Sequence, residues 1–483
     1  MTQTLKEKTA SALAWNTLDR FGQQILYMVT GIILARILNQ HDYALIGMIT
    51  IFTVISSILI DSGFVTSLIR EKDVKDIDLS TVFVFNITIG IILYIILFLS
   101  APLIARFFNQ PSLSCISRVL FISLPVNALG IVQNAMLAKR LQFHKTAKIN
   151  LTAVILSGTV SIVLAVTGYG VWALVAQILI FSVIRVILFW IWGDWKLSLT
   201  FSIQSFKRIF PFSINLLGAN LLTAIMNNIY ASTIGKFYTL TQTGNYAQAA
   251  KYADTSSTLM VTVIQGAMYP VLSSISDDEE RLKRASRKTI RTMSFLLFPI
   301  IFGLVCIAKP LIVVLLTTKW EGAVPYFQLL CIASIFIPLS NINNNFLNVK
   351  GYSHIVFRIE IFRFITIITA MMLTLKLGII NMLIGLTVTR AVCYTVNAVY
   401  AGRNTGYSFW EQCKDMLPYI AISFVMSMLM YAVNYLTANL YILLPLQSIT
   451  GLVFYIAANK MLGSKIYEDV SDLLKKALLI KKK

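Results

Sequence analysis

The chain has 483 residues, of which 57% are hydrophobic and only 13% are charged, with a formal net charge of +20. An average soluble domain carries about 25% charged residues, so this composition excludes a soluble protein and leaves a polytopic membrane protein. The spread of 23 Gly, 11 Pro and 5 Cys over the whole length also excludes collagen-like, disordered and disulfide-stapled chains.

Apolar runs long enough to cross a bilayer recur along the whole chain. A spanning helix needs about 20 mostly apolar residues, and fourteen such runs are separated by charge clusters and by Pro, Gly and Asn turns. The predicted spans are 14–37, 43–68, 79–105, 115–138, 148–168, 170–193, 206–234, 245–272, 290–316, 324–349, 355–377, 379–402, 415–437 and 440–462. The seventh and eighth are the weakest because they carry many polar residues. The predicted fold class is therefore all-α, with about 14 transmembrane helices.

Lysine and arginine are divided unevenly between the two sides of these spans. Of the 41 basic residues, 29 fall on the side of the two termini, 7 on the opposite side and 5 within spans. Because cytoplasmic loops are enriched in Lys and Arg, both termini are predicted to be cytoplasmic. A miscounted span would exchange the sides of every later loop, so the charge split and the count of fourteen support each other. No cleavage site typical of a signal peptide precedes the first span.

The segments outside the spans are short. The longest loop, 273–289, contains Ser276-Asp277-Asp278-Glu279, which reads as a capping box followed by basic residues. It predicts a short cytoplasmic helix that continues into the ninth span, either as a solubilising cap or as part of a gate. The tail, 464–483, is predicted to be a basic amphipathic helix suited to the anionic inner leaflet.

An internal repeat relates the two halves of the chain. The matched markers are Pro102-Leu103-Ile104 with Pro310-Leu311-Ile312, Pro125 with Pro338, Gln133 to Lys139 with Asn344 to Lys350, and His144 with His354. Spans 1–6 therefore resemble spans 7–12, and an even number of spans gives both copies the same orientation. The prediction is two six-helix lobes related by a pseudo-twofold axis along the membrane normal. The predicted domains are an N-terminal lobe 1–200, a C-terminal lobe 201–405, two additional helices 406–463 and the tail 464–483.

Arginines inside the spans are expensive to bury in lipid. Arg36 is near a span end, so its side chain can reach the membrane interface. The other four lie well inside their spans: Arg20, Arg185, Arg363 and Arg390. Four such residues at ~3 kcal/mol each would cost ~12 kcal/mol facing lipid, which rivals the stability of a whole protein. They are predicted to face a wet interior lined by protein.

Polar neighbours share helical faces with one another at steps of three, four and seven residues. They are Asn16 and Gln24 with Arg20, Asp61, Asn220 with Asn227, Lys251 with Asp254, Asn341 with Asn345 and Asn348, and Asn397 with Arg390. One interpretation is a hydrophilic cavity in which Arg20, Arg185, Arg363, Arg390 and Lys251 bind an anionic, polyhydroxylated substrate. The other is that polar side chains hold helices together. Glu360 and Arg363 are three residues apart and fit a structural ion pair equally well.

The spacing of the cysteines and histidines is not typical of a metal site. The five cysteines show no Cys-x-x-Cys spacing and are predicted to be small buried residues, and the three histidines are scattered. No metal and no cofactor is predicted. Asp61 stays ambiguous, because it could cap a helix break at Gly63, pair with an arginine or carry a proton.

Several stretches together resemble a known family. They are Leu5 to Thr9 running to Trp15, Leu34 to Leu38, Asp61-Ser62-Gly63-Phe64, Gly244-Asn245-Tyr246, Tyr269-Pro270-Val271-Leu272, Asp277-Asp278 and Lys319-Trp320. In their order and spacing the chain resembles Wzx-type polysaccharide flippases of the multidrug/oligosaccharidyl-lipid/polysaccharide exporter superfamily, and is similar to colanic-acid-type and teichuronic-acid-type exporters. The resemblance covers essentially the whole chain and weakens after about residue 405.

The resemblance implies a bacterial inner-membrane flippase, not an enzyme, with two six-helix lobes around a V-shaped cleft. Its substrate would be an undecaprenyl-pyrophosphate-linked oligosaccharide repeat unit, with Arg20 and Arg390 matching the cationic role. The expected partners are this lipid-linked oligosaccharide, membrane lipids, and the polysaccharide polymerase and chain-length machinery, without nucleic acid. The expected mechanism is alternating access.

Three other functions are weighed against this one. A cation-coupled multidrug-type antiporter shares the architecture, but it would favour an acidic interior, whereas this one is basic. A polymerase or glycosyltransferase would show a sizeable external loop or an acidic cluster at a membrane face. An ion channel would show a pore-loop filter. The sequence contains no nucleotide-binding loop, so energy would come from an ion gradient or from substrate supply.

Overall fold

The computed structural model describes residues 5–71, 73–255, 275, 278–469 and 472. In this part of the chain the regular secondary structure is helical, and the residues fall into two compact units, 1–247 and 248–483. The fold class predicted from composition is confirmed as an all-α membrane protein.

The first unit is built from ten helices and the start of an eleventh. They are α1 (Leu5–Ile37), α2 (Gln40–Asp61), α3 (Phe64–Arg70), α4 (Asp76–Phe108), α5 (Ser112–Leu120), α6 (Ser123–Ala128), α7 (Ile131–Lys139), α8 (Phe143–Val166), α9 (Val171–Trp192) and α10 (Ile203–Phe237). Helix α11 is described over 240–255 and crosses the boundary between the units.

The second unit continues with eight described helices. They are α12 (Glu279–Cys306), α13 (Ala308–Leu316), α14 (Val324–Ser334), α15 (Phe336–Val349), α16 (Ser353–Thr374), α17 (Ile379–Thr405), α18 (Phe409–Ala432) and α19 (Leu440–Met461). Helix α12 runs without a break into the ninth predicted span, as the sequence predicts. Its N-cap is Asp278, whose carboxylate accepts from the Arg281 N–H at 2.9 Å. The Ser276 and Asp277 part of the predicted capping box lies outside the described residues.

The fourteen predicted spans all overlap helices. Among the described residues, nine helical segments are long and apolar enough to cross a membrane, and the bent pair formed by 112–128 and 131–139 makes a tenth. The other four predicted spans fall on α1, α10, α11 and α16. The second half of the eighth span, from 256, and most of the tail lie outside the described residues. The count of fourteen stays a prediction.

The second predicted span is broken in its last third. Helix α2 ends at Asp61, and Ser62 and Gly63 have φ values of 45° and 73° before α3 begins. The left-handed conformation suits glycine at 63, which has no Cβ to clash. The Asp61 carboxylate is half-buried at the break and interacts with the Val65 backbone N–H on the other side of it. Of the three roles that the sequence left open for Asp61, this contact favours the cap.

Matching turns support the internal repeat. Before α2, the backbone N–H of Asn39 donates to the Asp42 carboxylate and the backbone N–H of Asp42 donates to the side-chain Oδ1 of Asn39, both at 3.1 Å. Thr239 and Gln242, 200 positions later, exchange the same two bonds before α11, at 3.2 and 3.3 Å.

A second matched pair of turns follows α7 and α15. Leu141 and Gly351 have φ values of 56° and 81°. The residue after each donates its N–H to the carbonyl five positions back, at 2.9 and 2.8 Å. The same local geometry therefore recurs 210 positions apart.

The boundary between the two compact units differs from the boundary between the two sequence repeats. Helix α10, which the repeat assigns to the C-terminal lobe, packs against α2, α3 and α4 of the first unit. A Cβ added to Gly235 of α10 would lie 2.5 Å from the Met48 side chain. Helices α18 and α19, the two additional spans, pack against α12 and α13 within the second unit. The predicted lobe boundary at 200/201 describes the repeat and stays a prediction.

Candidate functional site

A buried carboxylate lies at the centre of a polar cluster in the first unit. Asp19 of α1 is 7% exposed. It accepts a hydrogen bond from Gln23 Nε2 at 2.7 Å, one turn later on the same helix. Asn150 of α8 donates to the other carboxylate oxygen at 3.0 Å. Two amides from two helices therefore fix the carboxylate in position.

Arg185 of α9 lies beside this cluster. Its guanidinium interacts electrostatically with the Asp19 carboxylate and with Tyr27. It also lies 5.8 and 5.2 Å from the ring centroids of Phe181 and Phe189, within cation–π range. The Arg185 Nε is enclosed and has no hydrogen-bond partner among the described residues.

An enclosed guanidinium whose Nε has no hydrogen-bond partner among the described residues is chemically suited to an anion. Arginine presents five N–H donors in a fixed fork and stays charged at every physiological pH. Carboxylate and phosphate groups can accept two of these donors at once. Buried polar groups usually find a hydrogen-bond partner, so the open Nε of Arg185 supports the prediction that this residue binds substrate.

The second unit contains its own charged cluster. Arg390 of α17 is half-buried and interacts electrostatically with Asp254 of α11. Lys251, one turn earlier on α11, lies 6.0 Å from the ring centroid of Tyr252. The sequence predicted each of these charged residues as cavity lining, and in the structure Arg390 and Asp254 interact electrostatically.

The pair that the sequence left open in span 11 is an ion pair. Arg363 Nη2 lies 2.5 Å from Glu360 Oε2, with both side chains about one quarter exposed. The positive charge of Arg363 is therefore matched locally, which favours the structural interpretation of this pair. Arg20, in contrast, is exposed.

The remaining residues that the sequence predicted to line the cavity differ in their solvent exposure. Asn220, Asn227, Lys251, Asp254 and Asn348 are exposed, and Asn16, Gln24, Asp61, Asn341 and Asn345 are half-buried. Because polar groups in a span avoid lipid, exposed amides are suited to a water-filled cavity. Asn397 is 2% exposed and donates to Asn344 Oδ1 at 2.8 Å and to the Ser340 carbonyl at 3.3 Å. Its contacts are those of a residue that holds α17 against α15.

A second buried carboxylate joins α18 to α12. Asp415, 3% exposed, accepts from Arg287 Nε at 2.7 Å and from Arg291 Nε at 2.9 Å. The Tyr407 hydroxyl donates to the same carboxylate at 2.8 Å. Burial, together with this bond to the negative Asp415, raises the pKa of Tyr407 above its ordinary value. The sequence pattern did not indicate Asp415, because its two arginine partners lie more than 120 positions away.

The cysteines follow the prediction of burial in part. Cys331 and Cys393 are buried, Cys306 and Cys413 are half-buried, and Cys115 is exposed, which corrects the expectation of burial for that residue. Cys115 lies in α5, one position before the buried Ile116, so it faces away from the core. Within the described ranges, no three His, Cys, Asp or Glu side chains are grouped to hold a metal ion.

Comparisons with known proteins extend these observations. Residues 33–325 match the family described as Polysaccharide biosynthesis protein. The chain is 25% identical over 346 residues to the succinoglycan biosynthesis transport protein ExoT of Rhizobium meliloti, which covers 70% of each chain. It is 24% identical over 372 residues to the lipopolysaccharide biosynthesis protein WzxC of Escherichia coli, which covers 77% of this chain and 76% of that one.

Two solved structures are similar in fold. The lipid II flippase MurJ in an inward closed conformation has a TM-score of 0.71 at 16% identity, covering 94% of this chain and 99% of MurJ. An inward-facing multidrug resistance MATE family transporter has a TM-score of 0.62 at 16% identity, covering 82% of this chain and 98% of that one. At these identities the likeness establishes the fold alone.

Proposed function

The chain belongs to the Polysaccharide biosynthesis protein family, and from this premise we propose that it moves undecaprenyl-pyrophosphate-linked oligosaccharide repeat units across the bacterial inner membrane. The product serves surface polysaccharide synthesis. Family membership over residues 33–325 is the observation that carries the proposal. The relatives ExoT and WzxC are named for succinoglycan transport and lipopolysaccharide biosynthesis, which supports a saccharide substrate.

The architecture supports transport rather than catalysis. The chain is a multi-pass membrane protein whose fold is that of MurJ, a lipid II flippase, and lipid II flipping also moves a lipid-borne head group. The fold of MATE transporters is equally compatible with a small-molecule antiporter. The basic character of the polar residues in the spans favours the anionic substrate.

The charged clusters supply the chemistry that a pyrophosphate head group needs. In the proposal, Arg185 and Arg390 bind phosphate oxygens, and Arg20 and Lys251 add positive charge. The exposed Asn220, Asn227 and Asn348 would meet sugar hydroxyls. Arg363, paired with Glu360 at 2.5 Å, contributes less free positive charge. The lipid tail stays in the bilayer while the head group passes by alternating access between the two repeats.

The proposal also covers the orientation of the chain in the membrane and the molecules with which it interacts. Both termini are cytoplasmic, since 29 of the 41 basic residues fall on their side of the predicted spans. The lipid-linked oligosaccharide is the main partner, and the polymerase and chain-length machinery receive the repeat unit on the outer face.

Deletion of the gene in its native host tests the function. Surface polysaccharide and lipid-linked repeat units would be measured by mass spectrometry in each leaflet. We expect surface polymer to fall and undecaprenyl-pyrophosphate oligosaccharide to accumulate on the inner face. Repeat units that reach the outer face without polymerising would instead indicate an enzyme. Unchanged saccharides with raised drug sensitivity would indicate an antiporter.

Variants test the cationic residues separately. We expect Arg20→Ala, Arg185→Ala and Arg390→Ala each to reduce export at normal protein levels. If all three leave export unchanged, the arginines are not the substrate contacts.

A further inference from the structure

The first helix of the second repeat packs against helices of the first repeat. The repeat makes α10, the seventh predicted span, the counterpart of α1, the first. Helix α1 packs against α8, which belongs to its own repeat. Helix α10 instead packs against α2, α3 and α4, which belong to the other repeat. The two counterpart helices are therefore attached differently.

A charged contact attaches the beginning of α10 to α4. Arg208 Nη2 lies 2.7 Å from Asp78 Oδ2, and the Asp78 side chain is 1% exposed. The backbone N–H of Lys75 donates to the same carboxylate oxygen at 3.0 Å. Removing one partner of a buried carboxylate leaves an uncompensated charge, which is strongly destabilising. A contact of this kind is poorly suited to being broken in every transport cycle.

Two hydroxyl contacts extend the attachment on either side of Arg208. Ser213 Oγ of α10 lies 2.7 Å from Ser67 Oγ of α3, and both residues are buried. Just before α10, the backbone N–H of Ser202 donates to Thr81 Oγ1 of α4 at 3.0 Å. The first three turns of α10 are therefore bonded to both α3 and α4.

Aromatic rings pack the same turns of α10 against the first repeat. Phe206 and Phe210 of α10 lie 6.3 and 6.4 Å from Phe64 of α3 between ring centroids. They lie 5.1 and 6.5 Å from Phe85 of α4. Separations of 4.5–7 Å are those of favourable aromatic pairs. Apolar packing therefore reinforces the polar contacts at this end of the helix.

The C-terminal end of α10 is held as well. Lys236 Nζ donates to the backbone carbonyl of Phe107 in α4 and lies 4.7 Å from the Phe107 ring centroid. One residue earlier, a Cβ added to Gly235 would lie 2.5 Å from Met48 Cγ of α2. Helix α10 is thus attached to the first repeat at both of its ends.

We propose that α10 moves as part of the first repeat during transport, so that the first moving body ends within α11 at residue 247 rather than at the repeat boundary 200/201. This inference rests on the proposed function and refines its alternating access. The division of the chain into compact units falls at the same place, between 247 and 248. The exposed Asn220 and Asn227 of α10 then travel with Arg185, so one body carries their proposed contacts with sugar and phosphate.

Engineered disulfides at both ends of α10 test the proposal. Ser67→Cys with Ser213→Cys would join the N-terminal part of α10 to α3, and Met48→Cys with Gly235→Cys would join its C-terminal end to α2. The full chain carrying both pairs would be expressed in the deletion strain. Surface polysaccharide would be measured before and after oxidation, with each disulfide confirmed by mass spectrometry. We expect oxidation to leave export unchanged. Loss of export on oxidation that a reductant reverses would overturn the inference.

A matched control crosslink lies within the second repeat. Thr366 Oγ1 of α16 is 3.4 Å from Cys393 Sγ of α17, so Thr366→Cys alone supplies a partner for a native cysteine. These two helices belong to the same repeat, and their crosslink should not restrict movement of one body against the other. Its oxidation sets the level of export with which the α10 crosslinks are compared.

Loosening the attachment gives the complementary test. Asp78→Asn keeps the size of the side chain and removes the charge that pairs with Arg208. We expect export to fall in this variant and to recover when the Ser67→Cys and Ser213→Cys pair is added and oxidised. Asp76→Asn, at an exposed aspartate two positions earlier in α4, is the control with no expected effect. A further fall in export on oxidation would show that α10 must separate from α3, which would overturn the inference. If Asp78→Asn fails to fold, the crosslinks decide.

The wild-type gene separates this inference from the proposed function. If it does not restore surface polysaccharide to the deletion strain, the proposed function fails. If it restores the polymer but the oxidised α10 pairs abolish export, the inference about α10 is wrong and the proposed function stands. Export that survives oxidation of both pairs supports both.

Discussion

The hydroxyl of Tyr455 in α19 donates a 2.8 Å hydrogen bond to the backbone carbonyl of Phe295 in α12. That carbonyl would normally accept from residue 299, four positions later, but residue 299 is proline and has no N–H. Tyr455 is 6% exposed and its ring lies 5.5 Å from the Phe295 ring. The last predicted span therefore satisfies the acceptor that the proline leaves open in the ninth.

Tyr455→Phe is expected to destabilise the protein by about 1–2 kcal/mol, because it leaves a buried carbonyl without a donor. The melting temperature of the purified chain in detergent would show the loss. In a Pro299→Ala background the loss should largely disappear, since the alanine introduced there supplies its own N–H to the Phe295 carbonyl. Tyr435→Phe, at a residue that is 83% exposed, is the control with no expected effect. An equal loss in both backgrounds would contradict the pairing.

The first unit contains a parallel case. Pro102 of α4 leaves the Phe98 carbonyl free, and Arg118 Nε donates to that carbonyl at 3.4 Å while its guanidinium lies 4.6 Å from the Phe98 ring. The longer distance and the exposed position make this contact weaker than the one made by Tyr455.

Gly244→Ala is expected to destabilise the first unit by about 1–3 kcal/mol, the usual cost of overpacking. A Cβ at this position would collide with the backbone carbonyl of Gln40, which cannot move aside as a side chain could. Gly218→Ala is the matched control, since a Cβ there meets no atom within 4 Å in the described part of the chain. Gly218 lies inside α10, where alanine favours the helix by up to about 1 kcal/mol. Thermal unfolding should separate the two variants in opposite directions, and equal melting temperatures would refute the close packing.

The sequence predicted those features that depend on local pattern. Span positions followed from apolar length, whereas the break after Asp61 was one of three possibilities that the sequence left open and was not built into the predicted span 43–68. Asp19 was missed because Asn150, the partner that connects it to another helix, is 131 positions away. Asn397 was assigned to the cavity because it shares a helical face with Arg390, whereas packing against α15 buries it. Helical periodicity identifies a shared face, but only tertiary packing determines what that face meets.

Asn397→Ala and Asn227→Ala are expected to have different effects. Asn397 is buried and bonded to Asn344 at 2.8 Å, so its loss should lower stability by about 1–2 kcal/mol. Export per molecule of protein should then stay near wild type. Asn227 is exposed, so its loss should leave the melting temperature unchanged and reduce export. The two variants would be compared by thermal unfolding and by surface polysaccharide normalised to protein level. The reverse pattern would exchange their roles.

The pH dependence of stability tests Asp194, which follows the end of α9. Lys145 and Arg140 lie 3.6 and 2.6 Å from its carboxylate, and their positive charge lowers the pKa of Asp194 below the ordinary 3.8. A lowered folded-state pKa adds stability that is present above pH 3.8 and is lost as the pH falls through the folded value. We expect wild type to melt slightly above Asp194→Asn at neutral pH. The difference should close under strong acid, and a difference that persists there would have another cause.

Asp415→Asn is expected to be more damaging, with a loss of about 2–4 kcal/mol, because two arginines then lose a buried countercharge. Asp415 accepts hydrogen bonds from Arg287, Arg291 and Tyr407. One carboxylate of α18 therefore connects this helix to α12 and to the turn that precedes α18. Glu411→Gln is the control, one turn away, since Glu411 pairs with Lys283 at 3.0 Å with side chains that are 38% and 40% exposed, whereas the Asp415 side chain is 2% exposed. An exposed pair contributes about 0–1 kcal/mol. Thermal unfolding of the two variants would measure the difference, and similar small losses would show that burial adds little to the Asp415 contacts.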